Sequence, residues 1–288
     1  MSCVKSQSLA ASLVRSLFCG LPRQENRMAV FVSASDETSG RNSRDNFFFG
    51  GWVGPEEDWS RFFAPAWQER VLDGPPSIPY LHMTDIRSHQ WREKYGLTKL
   101  DADNRLDEAI TLLDTMATLY PIGTHVDAGH FRDKTKTMKI RPVTGGAKTF
   151  EPDYICFLGY AFFVLNYIAQ WHPEAEKVDF IVERNGPITK HIQEFHSHLD
   201  VNLQAVGCAS LAPLVGEMIP AGKDRIPLQA ADLLCWHTAR ARQPKTMDAA
   251  DIRRYSRLAY RKGCNYRFPK SKISKIIKGL ASMPKLGE

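Results

Sequence analysis

The chain has no uninterrupted run of about 18 apolar residues, so a membrane-spanning helix and a membrane partner are not expected. Its most apolar stretch, residues 154–171, is broken by Asn166 and Gln170 and reads as a core helix. No C-x-x-C pair and no regular spacing relates the cysteines at 3, 19, 156, 208, 235 and 264. A secreted disulfide framework is therefore a poor description. Cys156 and Cys235 fall in apolar helical runs, as reduced thiols of a cytoplasmic protein do. A Gly-x-x-x-x-Gly-Lys loop is missing, which removes the P-loop enzymes. There is no persuasive Ser or Cys triad motif and no internal repeat.

Acids are absent from one long stretch. Between Arg253 and Lys278 the chain carries Arg253, Arg254, Arg257, Arg261, Lys262, Arg267, Lys270, Lys272, Lys275 and Lys278 without one Asp or Glu. Over the whole chain the net charge is only +6, so the excess is local. Such a block is either a solvated tail or a grip for a polyanion, of which nucleic acid is the commonest. Residues 1–27 have no acid before Glu25, and their short apolar portion is interrupted by Arg15. That is a poor secretion signal, and Met28 is expected to be the biological start. The expected division is an N-terminal extension 1–27, a domain 28–242 and a basic extension 243–288.

Residues 28–53 read as the element around which the rest is arranged. Val30, Val32 and Ala34 alternate with Phe31, Ser33 and Ser35, the period of a strand. Residues 47–53 form a second apolar run after a turn rich in Ser, Asn, Asp and Gly, so a β-hairpin is expected. Asp36 continues the Val30 face where that strand runs out, and Glu37 follows. Downstream, helices are expected over 56–72, 101–119 (Asp-capped), 154–171, 188–199 and 226–242, and strands over 120–128, 178–183 and 203–211. Residues 134–148 read as a basic loop. Strands alternating with helices give an α/β fold with a mixed β-sheet flanked by helices.

Asp232 is the most informative single residue. In Ile226-Pro-Leu-Gln-Ala-Ala-Asp-Leu-Leu-Cys it shares a helix face with Leu228, Ala231 and Cys235. An Asp so placed either meets an arginine, such as Arg225 or Arg240, or serves a cation. Glu183 repeats the position of Asp36 at a strand end, with Arg184 beside it. Converging carboxylates repel unless a divalent cation holds them, and hard Mg²⁺ or Mn²⁺ prefers such oxygen donors. Two such ions acting on a phosphodiester need no covalent nucleophile. His82, three residues before Asp85, is a proton shuttle or phosphate orienter, or simply a hydrogen-bonded loop histidine. His191, Glu194 and His198 share a helix face and read as solvated surface.

Three stretches carry a family resemblance. They are Asp36-Glu37-Thr38-Ser39-Gly40 followed by Phe48-Phe49-Gly50-Gly51-Trp52-Val53, then Leu81-His82-Met83-Thr84-Asp85-Ile86, then Leu228-Gln229-Ala230-Ala231-Asp232-Leu233. Together they resemble the bacterial family labelled domain of unknown function 3800, although Thr38 is an additional residue relative to its Asp-Glu-Ser-Gly pattern. The resemblance implies a ribonuclease H-like fold over about residues 28–242, and a nuclease acting on RNA or DNA. It implies Asp36 and Asp232 as ligands of Mg²⁺ or Mn²⁺, with Glu183 as the middle acid and Glu37 and His82 assisting. Arg253, Arg254, Arg257, Arg261, Lys262, Lys270 and Lys272 would then hold phosphates. The rival from another class is a non-catalytic binding module of a defence or mobile-element system, with unknown protein partners.

Overall fold

The computed structural model describes residues 29–39, 47–135, 139–140, 148–149, 152–184, 189–205, 207–241, 247–260 and 263–270. The expected N-terminal extension and most of the basic loop 134–148 lie outside them, as do Arg261, Lys262 and Lys272.

Six strands make one sheet: β1 (Ala29–Ser39), β2 (Phe47–Pro55), β3 (Tyr120–Val126), β4 (Ala175–Glu183), β5 (Val215–Ala221) and β6 (Cys264–Arg267). They lie in the order β5-β4-β1-β2-β3-β6. The first three form an antiparallel meander, and β4, β5 and β6 each add parallel to a neighbour. The fold is thus α/β with a mixed sheet. Its helices are α1 (58–72), α2 (Met83–Arg87), α3 (His89–Lys94), α4 (Lys99–Thr115), α5 (Ala128–Thr135), α6 (Pro152–Trp171), α7 (Thr189–His196), α8 (Leu199–Ala205), α9 (Ile226–Ala241) and α10 (Ala249–Tyr260).

Both faces of the sheet are covered. On one, Phe31, Phe49 and Phe180 pack against Phe157, Tyr160 and Val164 of α6. On the other, Val32 and Trp52 pack with Trp59, Phe63 and Trp67 of α1, Leu106 of α4 and Leu233 of α9. The helix α6 has the length and composition to cross a membrane, yet it serves as the main cover of this sheet. β1 is central, so the expected single buried face is only half of the story. Ser33 and Ser35, on the other face, are as buried as Ala34. Burial of Ser33 is tolerated because its hydroxyl meets the Tyr160 hydroxyl at 2.7 Å. Gly51 lies across from Ser35. A Cβ there would stand 1.8 Å from the Ala34 carbonyl oxygen, so no larger residue fits between these strands.

Three expectations fail. Residues 203–211 form no strand; α8 ends there, a 3₁₀ turn follows over Ala209–Leu214, and the strand comes later, at β5. β5 is an edge strand, half exposed and containing Pro220, so neither alternation nor β-propensity marks it. The cap of α4 is Thr98 rather than Asp101. The Thr98 hydroxyl accepts from Asp101 N at 3.1 Å, and the Asp101 carboxylate accepts from Thr98 N at 2.8 Å, a capping box. Finally, the domain does not stop at residue 242. β6 pairs with β3 as the sheet's last strand, and α10 packs on α4 and α9. Residues 249–260 and 263–270 are therefore part of the domain rather than a basic extension of it.

Candidate functional site

β1 and β4 run parallel, with Ser35 opposite Val182 as their last pair. One residue further along each chain stand Asp36 and Glu183, on neighbouring strands about 4.8 Å apart and on the same face. Helix α9 lies across that face. The Trp52 indole donates to the Ala230 carbonyl at 3.0 Å, and the Cys235 thiol donates to the carbonyls of Gly50 at 3.2 Å and Asp36 at 3.3 Å. Asp232, one turn before Cys235, is thereby delivered to the strand ends. Asp36, Glu183 and Asp232 line one cavity with Leu81, His82, Lys223, Leu228 and Gln229.

Asp232 is the electrostatic centre. Its side chain is 13% exposed, accepts from Met83 N at 2.6 Å and is in hydrogen-bonding contact with the Asp36 side chain. Burial pushes its pKa up to about 7; the Met83 N–H, Asp36 and Lys223 oppose the rise, and Glu183 adds to it. Two carboxylates this close share a proton or need a cation. The arginines suggested as partners are elsewhere engaged or exposed. Arg240 stacks on the Trp236 ring, 4.3 Å from its centroid, and Arg225 is at the surface.

His82 precedes α2 in an extended conformation. Its Nδ1 is 3.2 Å from an Asp85 oxygen and 3.5 Å from Lys223 Nζ, while Nε2 faces Asp232 at 4.0 Å. The Tyr80 hydroxyl donates to the same Asp85 oxygen at 3.1 Å. Burial first, and then the Lys223 ammonium, lower the His82 pKa against the pull of Asp85 and Glu183. His82 is therefore held between the Asp85 carboxylate and the cavity, with its charged form disfavoured.

Lys223 has no counterpart among the residues expected from the sequence. It sits in the tight turn between β5 and α9, which is held by Gln229. The Gln229 amide donates to the carbonyls of Lys223 at 3.1 Å and Asp224 at 3.3 Å. Its oxygen accepts from Leu81 N at 3.0 Å and from the Trp67 indole at 2.9 Å. All four bonds of one buried amide are thus used to hold the His82 segment and the Lys223 turn on α9. The only sequence signal for Lys223 was its place in a Gly-Lys-Asp turn just before the Gln-Ala-Ala-Asp stretch.

The space enclosed by these groups is about 20 Å³, room for one water-sized occupant. Among the described residues no three His, Cys, Asp or Glu side chains stand close enough together to hold one metal ion. The donors nonetheless fit a hard cation in kind: oxygen ligands, one of them buried and in contact with a second carboxylate. A larger cavity of about 220 Å³ lies between β3, β6, α9 and α10, lined by Phe48, Ile122, Leu234 and Leu258. It holds no acid, histidine or lysine, and the smaller cavity is the candidate site.

The remaining site residues are dispersed. Glu37 pairs with Phe49 in the hairpin, and its side chain lies outside the described residues. Arg254 is buried, with Nε 2.7 Å from Asp107 and Nη1 3.1 Å from Asp103 and 3.3 Å from Asp251. Arg257 pairs with Asp114 at 2.6 Å and Lys270 with Asp127 at 2.9 Å. The acid-free segment finds its acids on α4, α10 and the residue after β3. Arg253 is exposed. Glu194 and His198 are half-buried rather than solvated. Comparison of the chain with protein-family models, with curated proteins and with solved structures found no match.

Proposed function

We propose that this chain is a nuclease dependent on Mg²⁺ or Mn²⁺, hydrolysing phosphodiesters of RNA or DNA on a ribonuclease H-like fold. The observation that carries the proposal is the meeting of Asp36 with Asp232 in a cavity that Glu183 also lines. A sheet with an antiparallel meander extended by parallel strands supports the fold that the sequence resemblance implies. Asp36 and Asp232 would hold the cation, and Glu183 would have to draw in to join them. When bound, it would lower the pKa of a water and offset charge on the phosphoryl oxygens. Asp85 orients His82 through Nδ1, leaving Nε2 to exchange a proton at the cavity. The free thiols of Cys156, Cys208, Cys235 and Cys264 support a cytoplasmic setting.

A non-catalytic binding module is the second reading. It is favoured by the described acids and histidines not forming a group of three that could hold one ion as they stand. Cleavage of fluorescent RNA and DNA strands in Mn²⁺ separates the two. Asp36→Asn and Asp232→Asn are expected to abolish cleavage and leave strand binding near wild type. Cleavage by the purified mutants at the wild-type rate would remove the nuclease proposal.

A further inference from the structure

The cavity described above is lined by three acids, which by themselves repel an anion. Among the described residues that line it, Lys223 is the one lysine or arginine. Its side chain is 40% exposed, and its ammonium stands 3.5 Å from His82 Nδ1 and 4.0 Å from the Asp85 carboxylate. It is therefore loosely paired and faces both solvent and the cavity. Two residues on, Arg225 is exposed and makes no ion pair with a described residue. The backbone of this turn is fixed three times over. Gln229 holds the carbonyls of Lys223 and Asp224, and Arg225 N donates to Gly222 O at 3.0 Å. A cation on a rigid turn beside acids is an arrangement for placing an anionic group. By contrast, Arg254, Arg257 and Lys270 spend their charge on acids of the domain.

We propose that the turn 222–225 is the phosphate-binding element of the site, with Lys223 at the cavity and Arg225 beside it, and that its ligand is the phosphodiester backbone of a nucleic-acid strand. The proposal rests on the nuclease reading for its substrate class, but its test needs neither metal nor cleavage. The probe is a fluorescein-labelled single-stranded DNA oligonucleotide, titrated with the full chain by anisotropy in EDTA over a range of salt. Lys223→Gln is expected to weaken binding about tenfold, the effect of losing one charge-assisted hydrogen bond. Each of Lys223→Gln and Arg225→Gln should flatten the log-affinity against log-salt slope by about 0.7, the value for one phosphate on a single strand. Arg61→Gln, at an exposed cation of α1 paired with Glu57 and away from the cavity lining, should leave affinity and slope unchanged.

Wild-type slope and affinity in Lys223→Gln would overturn the assignment, as would no binding by the wild type, or an Arg61→Gln effect equal to that of Lys223→Gln. Displacement of the strand by inorganic phosphate at equal phosphate concentration would also overturn it, since the element would then recognise the free anion. Failure of Asp36→Asn to stop cleavage would sink the nuclease reading without touching these outcomes.

Discussion

Gln229 and Leu81 lie 148 positions apart in the chain, and the Gln229 oxygen accepts the Leu81 backbone N–H at 3.0 Å. That bond fixes His82 against α9 while the other end of the same amide fixes the Lys223 turn. The two segments that flank Asp232 are therefore registered by one side chain.

Gln229→Glu keeps both acceptor contacts and deletes both donors, turning a carboxylate toward the carbonyls of Lys223 and Asp224. The expected cost is about 1–3 kcal/mol in urea unfolding, the penalty of a buried polar group without its partner. In the folded fraction, oligonucleotide affinity should fall as it does for Lys223→Gln. Unchanged stability together with unchanged affinity would show that the clip carries nothing.

Arg254 is a structural cation and not a phosphate ligand. Its guanidinium serves Asp103, Asp107 and Asp251 and also donates to the Asp103 carbonyl at 3.0 Å, joining α10 to α4. Arg254→Met should destabilise the fold by about 3 kcal/mol, because a buried pair broken on one side leaves its partner charged and stranded. Arg253→Ala, on the same helix but exposed, should stay within about 0.5 kcal/mol of wild type. Calorimetric melting of the two variants measures the difference, and equal melting temperatures would contradict the assignment.

His237 makes the fold sensitive to acid. Its Nδ1 donates to the Leu233 carbonyl at 2.8 Å, its Nε2 has no hydrogen-bond partner and lies 3.9 Å from Asp251, and the ring is fully buried. Burial lowers its pKa to about 4; the Leu233 carbonyl and Asp251 oppose this, and Arg87 and Arg254 reinforce it. The folded chain therefore refuses a proton that the unfolded chain accepts below pH 6.5. Stability falls as pH drops from 6.5 to about 4, by up to about 3 kcal/mol at 1.36 kcal/mol per unit, and levels off below. In urea unfolding, the stability of wild type relative to His237→Leu should shrink across that window. A pH-independent difference would remove the effect.

The hairpin, the α6 core helix and the α9 helix were legible because their periods are strong and their ends are marked by Gly or Pro. Asp36, Glu183 and Asp232 were legible because a carboxylate inside apolar sequence is conspicuous at any distance. Lys223 was not, since a lysine in a polar turn looks the same whether it faces solvent or a cavity. β5 was hidden by its edge position, where half-exposed residues and Pro220 replace the expected pattern. The basic segment misled for a different reason. Its counter-charges, Asp103, Asp107 and Asp114 on α4, lie more than a hundred residues upstream, beyond the reach of local charge counting.

The thiol of Cys235 reaches back across 199 positions to the carbonyl of Asp36. Translation adds about 5–20 residues per second, so a nascent chain carries Asp36 for about 10–40 s before α9 has been made. The sheet then waits further for β6 to close its far edge. Until α9 is made, Asp36 lacks the helix that brings Asp232 to it, and the cavity is open on that side. A cavity whose walls come from β1 and from α9 is completed only after nearly all of the domain has been made.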